Sequence, residues 1–278
     1  MNTASSENAP FRHYGVKHRV VAWVSRRLFD NITYRVRHGL LAGMRRRGGL
    51  GWLPEFVTGG VATKEEKFWE ALKLEGMTVY DIGSFHGLLA LFFSRRAKQV
   101  ICFEPNRFNH GRLMENLGLN AVKNVQVRKV GIGSERALMR MTGSPLMPGG
   151  SSLDASVAKG IEQTGMDVIV EEIQVVRLDD EVREAQLPPP DFIKIDIEGF
   201  ELEALKGARE TLAAHSPTLF LEMHGETMAE KRRKVREIVD FLTEAGYGSI
   251  FHIESEQRIT PANAAEVAAQ GHLLCKRG

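Results

Sequence analysis

Apolar residues along this chain follow two different spacings, and the two alternate from residue 63 onward. Short apolar runs of strand length lie at 79–82, 99–104, 125–131, 172–178, 191–197 and 218–223, and two more follow at 247–253 and 272–276. Helical spacing is present at about 87–96, 106–118, 200–213 and 227–245. Strands that alternate with helices predict a doubly wound α/β sheet, here with a terminal antiparallel pair.

The first helix of this alternating region is predicted to begin after Thr63. This threonine stands three residues before Glu66, which is the spacing of an N-cap whose side chain and the glutamate satisfy each other's free amides. Further along, the polar, glycine-rich stretch at 142–166 predicts a loop or lid. A long loop inside an α/β domain is usually functional. Residues 61–278 are therefore expected to form one domain.

The first 60 residues differ from the rest in charge, and we interpret them as a basic extension that caps the domain. Residues 1–48 carry ten Lys and Arg against two acidic residues, whereas the whole chain has a net charge of only +2. The spacing in 14–30 predicts a basic amphipathic helix, which either packs on the domain or lies on an anionic membrane surface. Residues 31–57 predict short strands and turns, in which Arg45 and Arg46 are candidates for holding an anionic group of a substrate.

The composition is that of an ordinary soluble globular protein, with 43% hydrophobic and 26% charged residues. Apolar runs of about 18 residues are missing, which predicts no transmembrane helix, and the polar start of the chain predicts no secretory signal. Cys102 and Cys275 lie in separate predicted strands without metal-ligand spacing, so we expect buried free thiols that form no disulfide. Together these features predict a cytoplasmic protein, with peripheral membrane contact through residues 14–30 left open.

The segment VYDIGSFHG at 79–87 and the following VICFEPN carry the first chemical signal. Both apolar runs end in an acidic residue, and Glu104 follows Asp81 by 23 positions. This is the order of strand, nucleotide loop, helix and second strand, in which the second acidic residue binds the ribose hydroxyls of an adenosine-bearing cofactor. The loop reads D-x-G-x-x-x-G rather than G-x-G-x-x-G. A carboxylate there favours the cationic amino-acid end of S-adenosylmethionine over the pyrophosphate of NAD.

A second segment, FIKIDIEGFE, places charged residues inside a predicted strand. Residues two apart share a face of a strand, so Lys194, Asp196 and Glu198 lie together, opposite three isoleucines. Unpaired charges in a central strand cost several kcal/mol and are tolerable only at its carboxyl end, facing a ligand crevice. The next strand repeats the pattern with Glu222 and His224. If the two strands are neighbours, these residues line one pocket; the alternative is a self-contained ion-pair network.

Together these motifs resemble the FkbM-type family of S-adenosylmethionine-dependent methyltransferases. The resemblance covers roughly residues 35–250 and rests, in chain order, on VYDIGSFHG, ICFEPN, GGSSL, RLDD, FIKIDIEGFE and LFLEMHG. It implies the class I methyltransferase fold, a Rossmann-like doubly wound sheet of seven strands in the order 3-2-1-4-5-7-6. It also implies action on hydroxyls of sugars or natural products. One departure lies in the nucleotide loop, where Ser84, Phe85 and His86 replace the family's common A-N-x.

Within that fold the sequence assigns roles to residues. The methionine end of the cofactor is expected against the loop, the ribose against Glu104 and the adenine near Asn106. The full set of candidate cofactor residues is Asp81, Gly83, Ser84, Phe85, His86, Gly87, Glu104, Asn106 and Asp196. The candidate catalytic residues are Lys194, Asp196, Glu198 and His224, and the candidate substrate contacts are Ser151, Ser152, Arg45 and Arg46.

Two ways of activating an acceptor hydroxyl remain open from the sequence. In the first, His224 is the base near neutral pH without a large pKa shift, and Asp196 or Glu222 orients its ring. In the second, Asp196, Glu222 and His224 coordinate a divalent metal ion that acidifies the hydroxyl. Ser151 and Ser152 belong to a lid over the acceptor, or to a plain solvated loop.

The leading hypothesis is an O-methyltransferase that transfers a methyl group from S-adenosylmethionine to a hydroxyl of a sugar, glycolipid or natural product. A binding protein that retains the fold without catalysis is the first alternative, because the 84–86 loop is altered. An NAD-dependent oxidoreductase or epimerase is the second, disfavoured by the missing G-x-G-x-x-G. Nucleic acid is not an expected partner, because few stacking aromatics interleave the basic segment.

Overall fold

The computed structural model describes residues 31–48, 63–143, 151–163 and 168–278. The predicted amphipathic helix at 14–30 lies outside the described residues, and so does the predicted domain boundary near residue 60. In the described part of the basic extension, strands β1 (Thr33–Arg35) and β2 (Arg45–Arg47) form an antiparallel hairpin. The strands and turns predicted for this region are therefore present between residues 33 and 47.

The remaining described residues form two further sheets and nine helices. The strands are β3 (Thr78–Ile82), β4 (Gln99–Phe103), β5 (Val125–Arg128), β6 (Gly131–Ile132), β7 (Ala137–Gly143), β8 (Ser151–Ser152), β9 (Ile169–Val176), β10 (Phe192–Ile195), β11 (Thr218–Glu222), β12 (Ser249–His252), β13 (Gln257–Ile259) and β14 (His272–Lys276). The helices are α1 (Lys64–Ala71), α2 (Leu88–Ser94), α3 (Arg107–Leu119), α4 (Ala155–Gln163), α5 (Leu178–Glu184), α6 (Glu201–Gly207), α7 (Arg209–His215), α8 (Met228–Glu244) and α9 (Ala264–Val267). No helix in these described ranges has the length and apolar character needed to cross a membrane.

The larger sheet has eight strands in the order β13-β12-β14-β11-β10-β3-β4-β5. The five from β11 to β5 are parallel, whereas β14, β12 and β13 pair antiparallel at one side. When the short edge strand β13 is set aside, the order along the chain is 3-2-1-4-5-7-6. The Rossmann-like α/β fold class is confirmed, with one strand more than predicted because β12 and β13 form a hairpin.

The smaller sheet has the order β6-β9-β7-β8, and its long strands β7 and β9 are antiparallel. The strand predicted at 172–178 ends two residues earlier, as β9, and pairs outside the large sheet. Its alternating exposure suits a sheet with one solvent face better than the centre of a doubly wound sheet. The stretch predicted as a loop at 142–166 contains the end of β7, all of β8 and helix α4 in its described part.

The helix ends follow from local contacts, some of which the sequence predicts. Thr63 caps α1 as predicted: its hydroxyl accepts from the Glu66 amide at 3.0 Å, and the Glu66 carboxylate accepts from the Thr63 amide at 2.8 Å. Helix α3 runs past the predicted end at Gly118 because Asn120 caps it. The single helix predicted at 200–213 is two helices, α6 and α7, which meet at Ala208.

Side chains of the central strands alternate between two cores, one on each face of the large sheet. On β3, Tyr80 and Ile82 belong to the core that includes Leu219 and Leu221 of β11. Val79 faces the opposite core, which holds Trp69 of α1 and several phenylalanines. Asp81 shares the face of Val79, and Lys194 is its register partner on β10. Two ionisable residues therefore lie on the same face as an aromatic core.

The two cysteines are both buried and free. Cys102 lies on β4 and Cys275 on β14, with β3, β10 and β11 between those strands in the sheet. Three intervening strands put the two sulfur atoms far outside the range that a disulfide bridges. The prediction of buried free thiols without a disulfide is confirmed.

Candidate active site

The loop after β3 depends on backbone that glycine adopts at little cost. Gly83 and Gly87 have φ of 81° and 80°, in the left-handed region, and Gly87 is the N-cap of α2. Phe85 between them is also left-handed, with φ of 48°. The amides of Gly83 and Ser84 both donate to the Phe103 carbonyl, at 3.0 and 3.2 Å. These two bonds tie the loop to the end of β4.

Gly83 also lies directly against the segment that follows β10. A Cβ atom on this residue would stand 1.9 Å from the carbonyl oxygen of Asp196. The Lys194 ammonium group donates to the Gly83 carbonyl at 2.8 Å from the other direction. The loop and the charged strand therefore meet at one point on the carboxyl edge of the sheet, where parallel α/β sheets bind ligands.

Glu104 ends β4 as a buried carboxylate at the edge of this loop. One of its oxygens accepts the amide of Phe85 at 2.8 Å, and the other accepts the amide of Asn106 at 3.0 Å. Asn106 in turn caps α3 through its side chain. Burial raises the pKa of Glu104 to about 7, although these hydrogen bonds act in the opposite direction. Asn109 Nδ2 also donates to Oε1 of Glu104 at 3.5 Å, so Oε2 is the oxygen that keeps a lone pair for a ligand hydroxyl.

A cavity of about 150 Å³ opens between the loop, β4 and the smaller sheet. Glu104 and Asn109 line one part of it, and Asp196 and Glu198 line another. Its walls are mainly apolar and include Phe85, Phe103, Ile132, Met141 and Leu153. This is the form of a small-molecule site, with apolar walls and few convergent polar groups. Gly83, Phe85, Glu104 and Asp196, all candidate cofactor residues, share this cavity.

Lys194 joins two carboxylates below the floor of that cavity. Its ammonium nitrogen lies 3.1 Å from Asp196 Oδ2 and 3.4 Å from Asp81 Oδ1. Burial raises the pKa of Asp81 against the lowering influence of Lys194 and Ser84. Burial alone would lower the pKa of Lys194, but Asp196 and Asp81 raise it above its usual range. Lys194 is 4% exposed and lies with Asp81 in an ion-pair network.

His224 stands at the centre of four carboxylates beside this network. Its Nδ1 lies 3.0 Å from Glu201 Oε1, and its Nε2 lies 3.4 Å from Glu222, 3.6 Å from Glu198 and 3.8 Å from Asp196. Burial alone would lower the pKa of His224, but hydrogen bonds to Glu201 and Glu222 and the surrounding negative charge raise it to about 11. The prediction of a base that titrates near neutral pH without a large shift is wrong, because the imidazole is held as a cation.

Glu201 is the residue of this cluster that was not predicted from the sequence. It is 1% exposed, and one of its oxygens accepts from the amides of Ile197 at 3.4 Å and Gly199 at 2.9 Å as well as contacting His224. It is closer to the ring than Asp196 or Glu222, the two residues predicted to orient it. An acidic residue in the first turn of a helix is usually interpreted as stabilising the helix dipole, so the position of Glu201 in the sequence did not predict its contact with His224.

Glu198, like Asp196, belongs to the cluster and also lines the cavity. Burial raises its pKa to about 7, although His224 acts to lower it. Its backbone is left-handed, with φ of 54°, and Gly199 after it has φ of 102°. A glutamate near its pKa at neutral pH, turned toward a cavity by an unusual backbone, fits the requirements of a proton acceptor.

Asp196, Glu198 and His224 each offer a ligand atom within 4.8 Å of the others, which is close enough to surround a metal ion. The sequence predicted Glu222 in place of Glu198, and Glu222 instead lies between His224 and His272, 3.7 Å from the latter. Those two imidazoles lower the pKa of Glu222 against the effect of burial. The Nδ1 atom of His224 is occupied by Glu201, which leaves Nε2 as its ligand atom.

The other candidate residues lie at different places around the site. Ser151 lines the cavity, whereas the Ser152 hydroxyl donates to the Glu198 carbonyl at 2.6 Å. Arg45 is bonded through its backbone to Asn120 of α3, at 2.8 and 2.7 Å, and does not line the cavity. Arg46 lies in the same hairpin and also does not line it. These two arginines remain predicted substrate contacts.

The altered part of the loop is held by stacking and by α3. The rings of Phe85 and His86 stack with centroids 3.7 Å apart, and Asn116 donates to the His86 carbonyl at 2.8 Å. Burial, followed by the charges of Arg112 and Arg46, lowers the pKa of His86 to about 4. The imidazole is therefore neutral at physiological pH, and the 84–86 segment is packed in place rather than loose.

We expect the imidazole of His224 to stay protonated from pH 6 to pH 9, because its pKa lies near 11. Substituting Glu201→Gln removes the nearest carboxylate and should lower that pKa, so that titration begins within this range. NMR of carbon-labelled histidine measures the protonation of His224 in the wild type and in the Glu201→Gln variant. Glu203→Gln is the matched control, since Glu203 lies on the same helix and bonds Lys206 instead. A wild-type His224 that titrates near pH 6.5 would contradict this prediction.

A Rossmann-like sheet with Asp81 near the end of its first parallel strand, Glu104 directly after the second and an apolar cavity beside them has the arrangement of the class I methyltransferase fold. The family model of the methyltransferase FkbM domain matches residues 81–248, so the chain belongs to the FkbM methyltransferase family. The family predicted from the motifs is confirmed.

Curated relatives carry methyltransferase names. Methyltransferase sdnD of Sordaria araneosa is 30% identical over 156 residues, covering 48% of this chain and 60% of that protein. Methyltransferase 1 of Beauveria bassiana is 29% identical over 142 residues, covering 46% and 57%. The hexuronic acid methyltransferase AglP of Haloferax volcanii is 30% identical over 141 residues, covering 50% and 52%. The chain thus spans a little over half the length of these relatives.

Two solved structures that are similar to this chain are also described as methyltransferases. A methyltransferase FkbM from Methylobacillus flagellatus KT shares 22% identity with a TM-score of 0.47, covering 74% of this chain and 45% of that one. SMU.1697c, a putative methyltransferase from Streptococcus mutans in complex with SAH, shares 12% identity with a TM-score of 0.46, covering 79% of this chain and 100% of that one.

Proposed function

We propose that this protein transfers the methyl group of S-adenosylmethionine to a hydroxyl of a sugar or sugar-bearing molecule, with Glu198 as proton acceptor. The observation that supports this most is the shared cavity, which has Glu104 at one part of its lining and Asp196 and Glu198 at another. The first carboxylate suits a ribose, and the other two suit an acceptor that carries hydroxyl protons.

The cofactor's place follows from what the cavity offers. The sulfonium of S-adenosylmethionine carries a methyl group that is already activated for transfer. Glu104 Oε2 retains a lone pair for a ribose hydroxyl, and Phe85 and Ile132 offer apolar surface to the rest of the ligand. Asp81 lies beneath the loop and does not line the cavity, so we assign it to holding the loop through Lys194 rather than to direct contact.

In this scheme the acceptor oxygen gains the methyl group and loses its proton. The acceptor oxygen attacks the methyl carbon, the carbon–sulfur bond breaks, and its electron pair stays on sulfur to give S-adenosylhomocysteine. The proton of the acceptor hydroxyl passes to Glu198, whose pKa of about 7 leaves a large fraction ionised at neutral pH. His224 stays a cation in this step and holds the surrounding carboxylates in position.

A sugar is favoured as acceptor by the polar groups of the cavity and by the name of one relative. Carboxylates such as Asp196 and Glu198, which line the cavity, accept sugar hydroxyls well. The relative AglP is named a hexuronic acid methyltransferase, which makes a carbohydrate acceptor the first class to test. Glycolipids and hydroxylated natural products are the next classes, because they present the same functional group.

A divalent metal ion is a second way to activate the hydroxyl. Asp196, Glu198 and His224 would hold it through two oxygens and one nitrogen, a donor set that suits Mg²⁺, Mn²⁺ or Zn²⁺. Such an ion would lower the pKa of the acceptor hydroxyl directly. Turnover that is abolished by EDTA and restored by added metal would favour this version over proton transfer to Glu198.

Methyl transfer from labelled S-adenosylmethionine to a panel of glycans, glycolipids and hydroxylated natural products tests the proposal, with and without EDTA. Glu198→Gln should lower turnover by roughly 100-fold or more while S-adenosylhomocysteine binding stays close to wild type. Binding of S-adenosylhomocysteine without transfer to any acceptor class would instead favour the binding-protein alternative. Binding of NAD in its place would overturn the cofactor assignment.

We expect the affinity for S-adenosylhomocysteine to fall as the pH drops below about 7. Glu104 accepts a ribose hydroxyl as a carboxylate, and its raised pKa means that protonation begins near neutral pH. Glu104→Gln should weaken binding by roughly tenfold or more and remove this pH dependence, since charged hydrogen bonds contribute about 1.5–3 kcal/mol. Calorimetric titration at pH 6, 7 and 8 measures both effects.

The control for that titration is Glu115→Gln. Glu115 is an exposed carboxylate on α3 that pairs with Arg112 at 3.2 Å and does not line the cavity. Its loss should leave both the affinity and its pH dependence unchanged. An affinity for S-adenosylhomocysteine that is flat between pH 6 and pH 8 in the wild type would show that Glu104 does not carry the ribose contact.

A further inference from the structure

Three backbone groups of the turn formed by Glu198 and Gly199 are held by side chains outside it. Both residues have left-handed backbone, with φ of 54° and 102°. The amide of Gly199 donates to Glu201, as described for the active site. The carbonyls of Glu198 and Gly199 accept from two other side chains, Ser152 and Lys234.

Ser152 reaches the turn from strand β8. Its hydroxyl oxygen accepts the amide of Asp154 at 2.9 Å, and its proton is donated to the Glu198 carbonyl at 2.6 Å. A hydroxyl has one proton to donate, so this arrangement fixes its direction. The residue is 1% exposed, so water does not compete for either bond.

Lys234 reaches the same turn from helix α8, on the side away from the cavity. Its ammonium nitrogen lies 2.8 Å from Asp154 Oδ2, 3.1 Å from the Gly199 carbonyl oxygen and 3.2 Å from Glu230 Oε1. The residue is only 9% exposed. One buried cation therefore links helix α8, the segment after β8 and the turn that carries Glu198.

Alternate residues of the segment from 151 to 154 contact different parts of the structure. Ser151 and Leu153 line the cavity together with Glu198, while Ser152 and Asp154 make the bonds described above. This alternation is that of an extended chain, in which neighbouring side chains point in opposite directions. The adjacent residues Ser151 and Ser152 therefore connect the cavity wall to the turn.

We propose that Ser152 and Lys234, with Asp154 between them, form a clasp that positions the Glu198 turn against the cavity wall. They are positioning residues: neither lines the cavity, and both act through the two carbonyls of the turn. A left-handed glutamate persists only where its surroundings over-determine it. The clasp supplies that constraint, and it bears on catalysis in so far as Glu198 is the proton acceptor of the proposed function.

Hydrogen–deuterium exchange of the ligand-free protein tests the clasp at the turn itself. The amides of Ile197 and Gly199 are the reporters, because both are held by Glu201 in the same turn. Ser152→Ala and Lys234→Met should each speed exchange in the peptide containing residues 196–201 by at least about tenfold. Peptides from β3 and β4 in the core should change far less. Ser152→Thr keeps the hydroxyl and should return exchange to near the wild-type rate.

Arg233→Met is the matched control on the same helix. Arg233 is an exposed cation that pairs with Glu237 at 2.8 Å, so its loss removes the same charge without touching the turn. Exchange in 196–201 that matches this control in both variants would overturn the clasp. An exchange rate that rises equally in all peptides would also overturn the clasp, because such a rise would reflect a loss of global stability alone. Exchange in 196–201 that is as fast in Ser152→Thr as in Ser152→Ala would show that the hydroxyl of residue 152 does not hold the turn, and would overturn its part in the clasp.

Cofactor binding separates this proposal from the proposed function. Calorimetry with S-adenosylhomocysteine on the same wild-type protein decides whether the cavity takes the cofactor. A wild type that does not bind it would count against the proposed function. The exchange comparison is made without any ligand, so its result decides the clasp in either case.

Discussion

Substituting Gly83→Ala should lower the free energy of unfolding by about 2–6 kcal/mol and weaken S-adenosylhomocysteine binding by at least tenfold. Two separate causes contribute. The residue has φ of 81°, which costs an alanine about 1–3 kcal/mol. The new Cβ would also stand 1.9 Å from the Asp196 carbonyl oxygen, and relieving such a contact costs about 1–3 kcal/mol or more. The loop and the segment after β10 must then move apart, which opens the cavity between them.

Gly76→Ala separates these two causes. Gly76 has φ of 80°, almost the same backbone as Gly83, but nothing lies within 4 Å of a Cβ placed there. Its substitution should therefore cost only the backbone part, about 1–3 kcal/mol, and leave cofactor binding unchanged. Urea unfolding gives the free energies and calorimetry gives the affinity. Equal losses for the two variants would mean that the contact with Asp196 relaxes without cost.

Substituting Lys194→Met should destabilise the fold by about 3–5 kcal/mol, because it leaves buried carboxylates without their cation. Asp81 is fully buried, and its only close cation among the described residues is Lys194 at 3.4 Å. Burial already raises the pKa of Asp81 in the wild type. Without Lys194 the pKa rises further, so the deficit should be largest at high pH and shrink as the pH falls through that pKa.

Lys206→Met is the control for that experiment. Lys206 is an exposed lysine of α6 that pairs with Glu203, three residues earlier. Exposed pairs contribute about 0–1 kcal/mol, so this variant should unfold close to the wild type at every pH. The double variant Lys194→Met/Asp81→Asn should recover part of the loss, since it removes the uncompensated charge. A Lys194→Met protein as stable as the control would show that the buried pair is solvated.

The charged strand was predictable because its signal is local. Lys194 lies in β10, and Asp196 and Glu198 follow within three residues of its end, so the sequence brings them to one edge of the sheet even though Glu198 lies in a left-handed turn. Neighbouring strands follow from the order of a doubly wound sheet. The N-cap at Thr63 was predictable for the same reason, since its partner is three residues away. Both depend on spacing that the sequence states directly.

The properties of His224 were not predictable, because they depend on residues brought together by the fold. Four carboxylates from two segments surround the ring, and their combined charge moves its pKa to about 11. The smaller sheet escaped prediction for another reason. Leu138 on β7 is 70% exposed, so its hydrophobicity does not report a buried face. Pattern arguments assume that apolar residues are inside, and β7 breaks that assumption.

The position of β14 between β11 and β12 has a consequence for how the protein is made. Strands β12 and β13 are joined to the large sheet through β14, although β14 comes after both in the chain. On the ribosome, the hairpin of β12 and β13 leaves the exit tunnel before β14, the strand that connects it to the sheet. Until residues 272–276 emerge, the edge of β11 stays open to other strands, and a chaperone that covers this edge would protect the nascent chain from aggregation.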